Sequence, residues 1–133
     1  MNRYRDWFEQ AQRDLERAKL DVQYKFWEWA CFTSQQAAEK AVKAVLMFHN
    51  LAVWGHGISV MLRQQEILTI SQDIMSKAQL LDAHYIPARY PNGFPAGKPA
   101  DYYNAQKAQE ALDAARDILR FCEAYFTKPE QAA

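Results

Sequence analysis

The chain has 133 residues, of which half are apolar and 24% are charged, so it is long enough to bury one hydrophobic core. Sixteen Lys and Arg balance sixteen Asp and Glu, and this zero formal charge argues against a protein that grips duplex nucleic acid with a broadly basic surface. The longest purely apolar run, residues 44–48, is far too short to span a bilayer, and no apolar stretch follows the charged N-terminus. We therefore expect a soluble, cytoplasmic protein without a signal peptide.

The positions of glycine and proline predict an all-helical chain. All four glycines and four of the five prolines fall in two short segments, around His56 and between Pro87 and Pro99, and Pro129 lies in the tail. Elsewhere good helix formers dominate, and no alternating β-branched run indicates a strand.

The apolar periodicity predicts the helices in chain order. A first helix is expected over residues 3–24 and a second over 26–51. The apolar face of the second is wide, starts at Phe26 and contains several alanines, as in the central helix of a bundle or one that also forms a dimer interface. A short helix is expected over 58–66 after the Gly55-His56-Gly57 break.

A capping box at Thr69 and Gln72 is expected to open a fourth helix that ends before Pro87, and the last helix is expected from about residue 103 to 126. These elements predict an all-α, antiparallel up-and-down bundle of four long helices plus one short helix. The domain is expected to span residues 1–127, with a frayed tail over 128–133.

The proline-rich segment, residues 83–100, is the main candidate for function. It contains no carboxylate, it carries Arg89 and Lys98 beside several aromatic side chains, and prolines at every fourth position are expected to hold it extended. A cationic, aromatic loop could receive a phosphate and stack a base. Alternatively, its aromatic residues only cover one end of the bundle, with Arg89 binding helix carbonyls or an acid. The sequence leaves both interpretations open.

A polar seam on the second helix is a second candidate. Gln36, Glu39, Lys40 and Lys43 share one side of the helix at spacings of three, four and seven. They form either a solvated seam with a Glu39–Lys43 pair, or a phosphate-facing surface in which Gln36, Lys40 and Lys43 lie beside the Arg89 loop.

Other residue types favour ordinary structural roles. Cys31 and Cys122 have apolar neighbours and are expected to behave as small buried hydrophobes. The three histidines lack metal-ligand spacing, so neither a metal nor another cofactor is expected. His56 is expected in a helix-opening turn, and His84 is either structural or a proton carrier near Arg89.

The spacing of the tryptophans indicates that at least one of them lies on an exposed patch or at a subunit interface. Among Trp7, Trp27, Trp29 and Trp54, Trp7 fits the first helix's core face. Trp27 and Trp29 lie 200° apart on a helix, at 100° per residue, so both cannot face one core. One of them is expected at a subunit interface or on an exposed patch.

Three segments resemble the HEPN family (higher eukaryote and prokaryote nucleotide-binding domain). Residues 32–46, FTSQQAAEKAVKAVL, are similar to the family's QQAAEKALKALL signature, and residues 81–91, LDAHYIPARYP, to its LD-x-x-YI-x-x-RYP segment. Residues 55–60 resemble its TH-x-L-x-x-L turn, with Gly55 in place of Thr. The resemblance implies a helical bundle that pairs into a homodimer. It also implies a minimal nucleotidyltransferase partner in a toxin–antitoxin or nucleotide-handling module.

Many members of this family are metal-independent ribonucleases with an Arg-x4-6-His motif, and no histidine of this chain follows an arginine at that distance. The expected function is therefore a non-catalytic nucleotide- or RNA-phosphate-binding subunit, whose candidate ligand-binding residues are Arg89, Tyr90, Lys40, Gln36, Lys43 and His84. One alternative is a ribonuclease toxin with a degenerate site built from His84, Arg89 and Tyr90. Another is a pure protein-interaction subunit.

Overall fold

The computed structural model describes residues 1–52, 55–64 and 68–127, and every regular element in those ranges is helical. The five α-helices and two short 3-10 helices are α1 (Tyr4–Gln23), α2 (Trp27–Phe48), α3 (Ile58–Arg63), α4 (Gln72–Asp82), Pro91–Gly93, Pro99–Asp101 and α5 (Ala105–Thr127). The all-α bundle expected from the sequence is confirmed. Trp54 and the tail over 128–133 lie outside the described residues.

Helix α2 is the central element, because it packs against α1, α3, α4 and α5. Its alanines are fully buried, and their small side chains let the neighbouring helices approach closely. The expected stripe was wrong at one end: Phe26 precedes the helix and is 54% exposed. Because helices surround α2 on several sides, Glu39 and Lys43 of its polar seam are buried.

The turn from α1 into α2 is held by a buried carboxylate. Asp21 accepts a hydrogen bond from Arg17 Nε at 3.1 Å and another from Thr33 Oγ1 at 3.0 Å. Because a buried carboxylate needs such donors, this pair of contacts fixes the first turns of α2 against the end of α1.

None of the described helices combines the length and apolar character that a membrane span requires.

The start of α4 differs from the expected capping box. Ser71, not Thr69, is the N-cap, and its hydroxyl oxygen accepts a hydrogen bond from Ile74 N at 3.1 Å. Both residue types are good N-caps, and the expected buried face with Ile74, Ala78 and Leu81 is the same for either start, because it depends on helical spacing.

The proline-rich segment is less extended than expected. Residues 83–89 form consecutive turns, and two of the prolines open the short helices Pro91–Gly93 and Pro99–Asp101. Proline is tolerated in the first turn of a helix, where its missing N–H would have no partner in any case. These turns keep Arg89 and His84 close to the bundle.

Both thiols are enclosed in the core. Cys31 and Cys122 are buried, and burial raises the pKa of Cys31 to about 12 and also raises that of Cys122. They pack as small hydrophobic side chains, as the sequence predicts.

Candidate functional site

Arg89 is held in a cradle of three aromatic rings. Its guanidinium carbon lies 4.5 Å from the ring centre of Phe32, 4.6 Å from that of Tyr85 and 4.9 Å from that of Tyr90. Its Nε donates to the backbone oxygen of Tyr85 at 2.9 Å. Among the described residues no carboxylate pairs with Arg89, so its terminal N–H groups are left for another acceptor.

The Tyr85 ring of this cradle is supported from α2 through His56. The imidazole stacks on the Tyr85 ring with centroids 4.9 Å apart and an interplanar angle of 16°. His56 Nδ1 lies 3.2 Å from Glu39 Oε2 and 3.3 Å from Oε1, and a carboxylate there requires the proton to be on Nδ1. The turn at His56 therefore connects the cradle to the central helix.

Glu39 is the centre of a buried polar network. Its side chain is 6% exposed and accepts from Lys43 Nζ at 2.9 Å and from Gln35 Nε2 at 3.2 Å. Gln35 Nε2 also donates to the backbone oxygen of His56 at 3.1 Å, and Gln36 Nε2 donates to Gln35 Oε1 at 2.7 Å. The buried charges of Glu39 and Lys43 thus compensate each other, and the network satisfies the amide groups of Gln35.

A groove of about 320 Å³ runs between α1 and α2 on the other side of Phe32. This α1–α2 groove is lined by residues that include Asp14, Arg17, Trp29, Phe32, Gln36 and Lys40. Lys40 Nζ donates to Asp14 Oδ2 at 2.5 Å, and Trp29 meets Phe32 edge to face at 6.0 Å. Phe32 is therefore a wall shared by the groove and the Arg89 cradle.

The structure brings some of the candidate residues together and separates others. Arg89 and Tyr90 share the cradle, and Gln36 and Lys40 line the adjoining groove. Lys43 points elsewhere, into its contact with Glu39 and over the ring of Trp7. Spacing along a helix places these residues on one side, but the neighbouring helices determine which of them stay accessible.

His84 belongs to a separate cluster at the start of α5. Its Nδ1 lies 2.9 Å from the hydroxyl of Tyr103, and Lys107 Nζ lies over the Tyr103 ring at 5.3 Å. Burial, and secondarily the positive charge of Lys107, lower the pKa of His84, whereas burial raises the pKa of Tyr103 to about 12. Both groups are therefore neutral near pH 7, and the side chain of His84 contacts Tyr103, two residues before α5, and not Arg89.

Two further features bear on cofactors. The described part of the chain holds no group of three His, Cys, Asp or Glu side chains placed to bind a metal ion. A larger recess of about 590 Å³ lies at the N-terminus, but its Arg3 already pairs with Asp6 at 2.9 Å. Arg89 differs from Arg3, because its guanidinium has no such carboxylate partner in the ranges described.

Sequence reasoning missed the residues that position Arg89. Phe32, Tyr85, Gln35 and His56 are separated along the chain, and only the fold places them around the cradle and its network. The available signal was their presence in the three segments that resemble one family, since His56, Tyr85 and Phe32 each lie in one of them.

Comparison with known proteins identifies one family. The HEPN domain matches residues 4–125 of the chain. A protein of Methanocaldococcus jannaschii that is provisionally named as a toxin is 29% identical over 119 residues, which is 82% of this chain and 78% of that protein.

Solved structures agree in fold over almost the whole chain. A crystal structure of a protein from Thermus thermophilus is 42% identical with a TM-score of 0.91 and covers 94% of this chain and 99% of its own. An archaeal HEPN homologue is 40% identical with a TM-score of 0.81 and coverages of 93% and 98%. A HEPN domain protein from Thermotoga maritima is 35% identical with a TM-score of 0.76 and coverages of 92% and 98%.

Proposed function

The chain belongs to the HEPN family, and we propose that it is a non-catalytic subunit that binds the phosphate of a nucleotide or of RNA at Arg89. The observation that carries this proposal is a guanidinium stacked among three rings, with Nε bonded to the backbone and no carboxylate partner in the described ranges. A planar cation of this kind can bind two phosphate oxygens with its terminal N–H groups.

The cradle favours binding because the arginine is held before the ligand arrives. An exposed arginine loses side-chain entropy when it binds an anion, and a stacked guanidinium has already lost most of it. Glu39 and His56 in turn fix the Tyr85 ring against which Arg89 lies. The candidate ligand would therefore meet a fixed cation.

The surroundings of Arg89 suit the rest of a nucleotide. Tyr90 is 48% exposed and offers a ring face for stacking, and the α1–α2 groove with Gln36 and Lys40 begins on the far side of Phe32. Lys43 and His84 have other partners in the structure, and Lys40 is paired with Asp14, so we give these three residues supporting roles and not direct ligand contacts.

The proposed partners rest on the family. Members of the family typically pair into homodimers and often occur beside a minimal nucleotidyltransferase, and a relative of this chain is provisionally named as a toxin. We propose the same arrangement here, with this chain as the binding or regulatory subunit of a two-component module. The exposed aromatic residues at the turn between α1 and α2 would supply apolar surface for the homodimer.

Calorimetric titration with ATP and GTP tests the phosphate site. We expect Arg89→Gln to weaken binding by about tenfold to a hundredfold, because charge-assisted hydrogen bonds contribute roughly 1.5–3 kcal/mol. Arg89→Lys should restore little affinity, since an ammonium cannot stack on the rings and bind two oxygens.

Arg120→Gln is the matched control, because Arg120 is an exposed arginine of α5 distant in sequence from the cradle. It should bind nucleotide like the wild type. Absence of binding by the wild-type protein at millimolar nucleotide would contradict the proposal and favour the pure protein-interaction subunit.

A second candidate function is a ribonuclease with a degenerate site, and one observation favours it. His56 is oriented by Glu39 and stacks on the Tyr85 ring, over which Arg89 also lies, so a candidate general base and a phosphate-binding cation contact the same tyrosine. This pair differs from the expected set of His84, Arg89 and Tyr90, because His84 contacts Tyr103 instead. RNA cleavage by the wild type that is lost in both Arg89→Ala and His56→Asn would replace the non-catalytic proposal with this one.

A further inference from the structure

We infer that the α1–α2 groove selects bases that carry an exocyclic amino group, and that Gln36 is the residue that determines this specificity. The inference rests on the proposed function, since it concerns the base of the nucleotide whose phosphate Arg89 would hold. The inference comes from the direction of the hydrogen bonds that Lys43, Gln35 and Gln36 of α2 donate.

A chain of hydrogen bonds, here called the relay, runs from Gln36 through Gln35 to Glu39. Glu39 is a carboxylate, so it can only accept hydrogen bonds. It takes hydrogen bonds from Lys43 Nζ and from Gln35 Nε2, and the Nδ1–H of His56 points to the same two oxygens. An amide next to this carboxylate must therefore present its nitrogen. Gln35 does so, and its nitrogen has a second acceptor in the backbone oxygen of His56.

The orientation of Gln35 determines that of Gln36. Both N–H groups of Gln35 are used by acceptors, so its Oε1 is the atom that remains on the other side. Gln36 donates to this oxygen from Nε2 at 2.7 Å. If the Gln36 amide were flipped, its Oε1 would lie against Gln35 Oε1 and the two oxygens would repel. The buried network therefore fixes the Gln36 amide with its nitrogen toward Gln35.

The oxygen of Gln36 is left as an acceptor beside the groove. Within the ranges that the structure describes, Gln36 Oε1 has no hydrogen-bond donor, while the side chain is half-buried and lines the groove with Trp29 and Phe32. Gln36 lies one helical turn, about 6 Å, from Phe32, which touches Arg89. A base stacked along Phe32 or Trp29 would thus bring its edge to a fixed acceptor.

A fixed carbonyl acceptor distinguishes base edges by their chemistry. The amino groups of adenine, cytosine and guanine are donors, whereas hypoxanthine and uracil carry an oxygen at the position where adenine and cytosine carry the amino group. An oxygen facing Gln36 Oε1 would lose the hydrogen bond and repel. We expect the groove to favour AMP over IMP and CMP over UMP.

The test compares these two pairs of nucleotides by calorimetry. Wild-type protein should bind AMP about tenfold more tightly than IMP, which is the effect of one hydrogen bond gained and one repulsion avoided. Gln36→Met keeps the length and helix preference of the side chain but removes the acceptor, so the ratio should fall to about one. Gln109→Met, an exposed glutamine of α5, should keep the wild-type ratio.

Glu39→Gln tests the relay itself at a distance from the ligand. An amide at this position can donate or accept, so only the backbone oxygen of His56 still dictates the orientation of Gln35, and the AMP to IMP ratio should fall partway toward that of Gln36→Met. A merely structural role of Glu39 would weaken AMP and IMP equally and leave their ratio unchanged. Melting curves check that both variants are folded.

Ribose 5-phosphate separates this inference from the function on which it rests. Its binding should require Arg89 and be unaffected by Gln36→Met. If ribose 5-phosphate binds through Arg89 but the wild type does not distinguish AMP from IMP, or distinguishes them without Gln36, the specificity inference fails and the phosphate site stands. If no phosphate compound binds, the proposed function and the inference both fall.

Discussion

His84 is a partly buried imidazole whose charged form is disfavoured in the folded chain. Burial and the neighbouring charge of Lys107 lower its pKa, and Tyr103 faces its Nδ1 as a neutral hydroxyl. Because the folded pKa lies below the ordinary value of 6.5, the unfolded chain takes up the proton first as the pH falls. Stability should therefore be complete above pH 6.5 and decrease as the pH falls below it.

Urea unfolding between pH 7.5 and 5 measures this effect. We expect the wild-type midpoint to fall over the window, and we expect His84→Gln to flatten that part of the profile, since glutamine can bond to Tyr103 without titrating. The same slope in wild type and His84→Gln would show that other groups govern the acid sensitivity. His56→Gln serves as the comparison, because His56 is an exposed imidazole of a different cluster.

Two features of single residues in the candidate site follow from the sequence, whereas the contacts around them do not. Arg89 stood out because a stretch without carboxylates leaves a cation with no local partner, and the structure places no acid on it in the described ranges. The Glu39–Lys43 contact also follows from helical spacing. The contact of His56 with Glu39 joins residues 17 positions apart on different elements, and no local pattern contains it.

At the scale of elements, Asp82 holds the start of α3. It lies at the end of α4, and its carboxylate accepts from Ile58 N at 2.8 Å, from Ser59 N at 3.0 Å and from Ser59 Oγ at 2.7 Å. The aspartate of the LD-x-x-YI-x-x-RYP segment therefore caps another helix from outside. Leu81 beside it is fully buried in the core, so both residues have a structural explanation.

Replacing Asp82 should destabilise the fold by removing this cap. We expect Asp82→Ala to lower the free energy of unfolding by about 1–2 kcal/mol, the cost of a lost N-cap, and Asp82→Asn to lie between it and the wild type. Denaturant unfolding measures both. Asp113→Ala is the control, because its contact with Arg116 is an exposed pair on α5 that contributes little. A loss in Asp82→Ala no larger than in Asp113→Ala would contradict the capping role.

The helices themselves follow from periodicity and helix breakers, and their ends do not. The start of α1 is expected within one residue and that of α5 within two, yet Thr69 and Ser71 both suit an N-cap and the sequence does not choose between them. The proline-rich segment was expected to be extended because proline excludes helix interiors. Its short 3-10 helices use proline at the first position, which the same chemistry permits.

At the scale of the whole molecule, the exposed apolar side chains are concentrated. Four of them, Leu20, Tyr24, Phe26 and Trp29, lie at or near the turn between α1 and α2, while Tyr90 belongs to the Arg89 cradle and Ile86 lies in the turns that precede Arg89. Exposed apolar side chains that lie close together favour a protein contact, so Leu20, Tyr24 and Phe26, which line neither the α1–α2 groove nor the cradle, support the proposed homodimer. The spacing of Trp27 and Trp29 predicts that both cannot face the same core. Trp29 is the exposed one, at 44%, whereas Trp27 packs against the core.

This surface gives the proposed homodimer a direct test. We expect wild-type protein to sediment as a dimer and the double variant Tyr24→Glu, Phe26→Glu to sediment as a monomer, because paired carboxylates would be buried without partners at the interface. Val60→Glu changes an equally exposed apolar residue on α3 and should stay dimeric. A wild-type monomer would exclude the homodimer, and a dimer in all three proteins would place its interface elsewhere.

The two enclosed cysteines have a practical consequence for the whole bundle. Each thiol sits in a different long helix, and each must reach water and ionise before an electrophile can react with it. Chemical labelling therefore records how often the bundle opens. Because Cys31 lies in the first turns of α2 beside Lys107, at the start of α5, and Cys122 lies near the end of α5, the two sites report the opening of opposite ends of the same core separately.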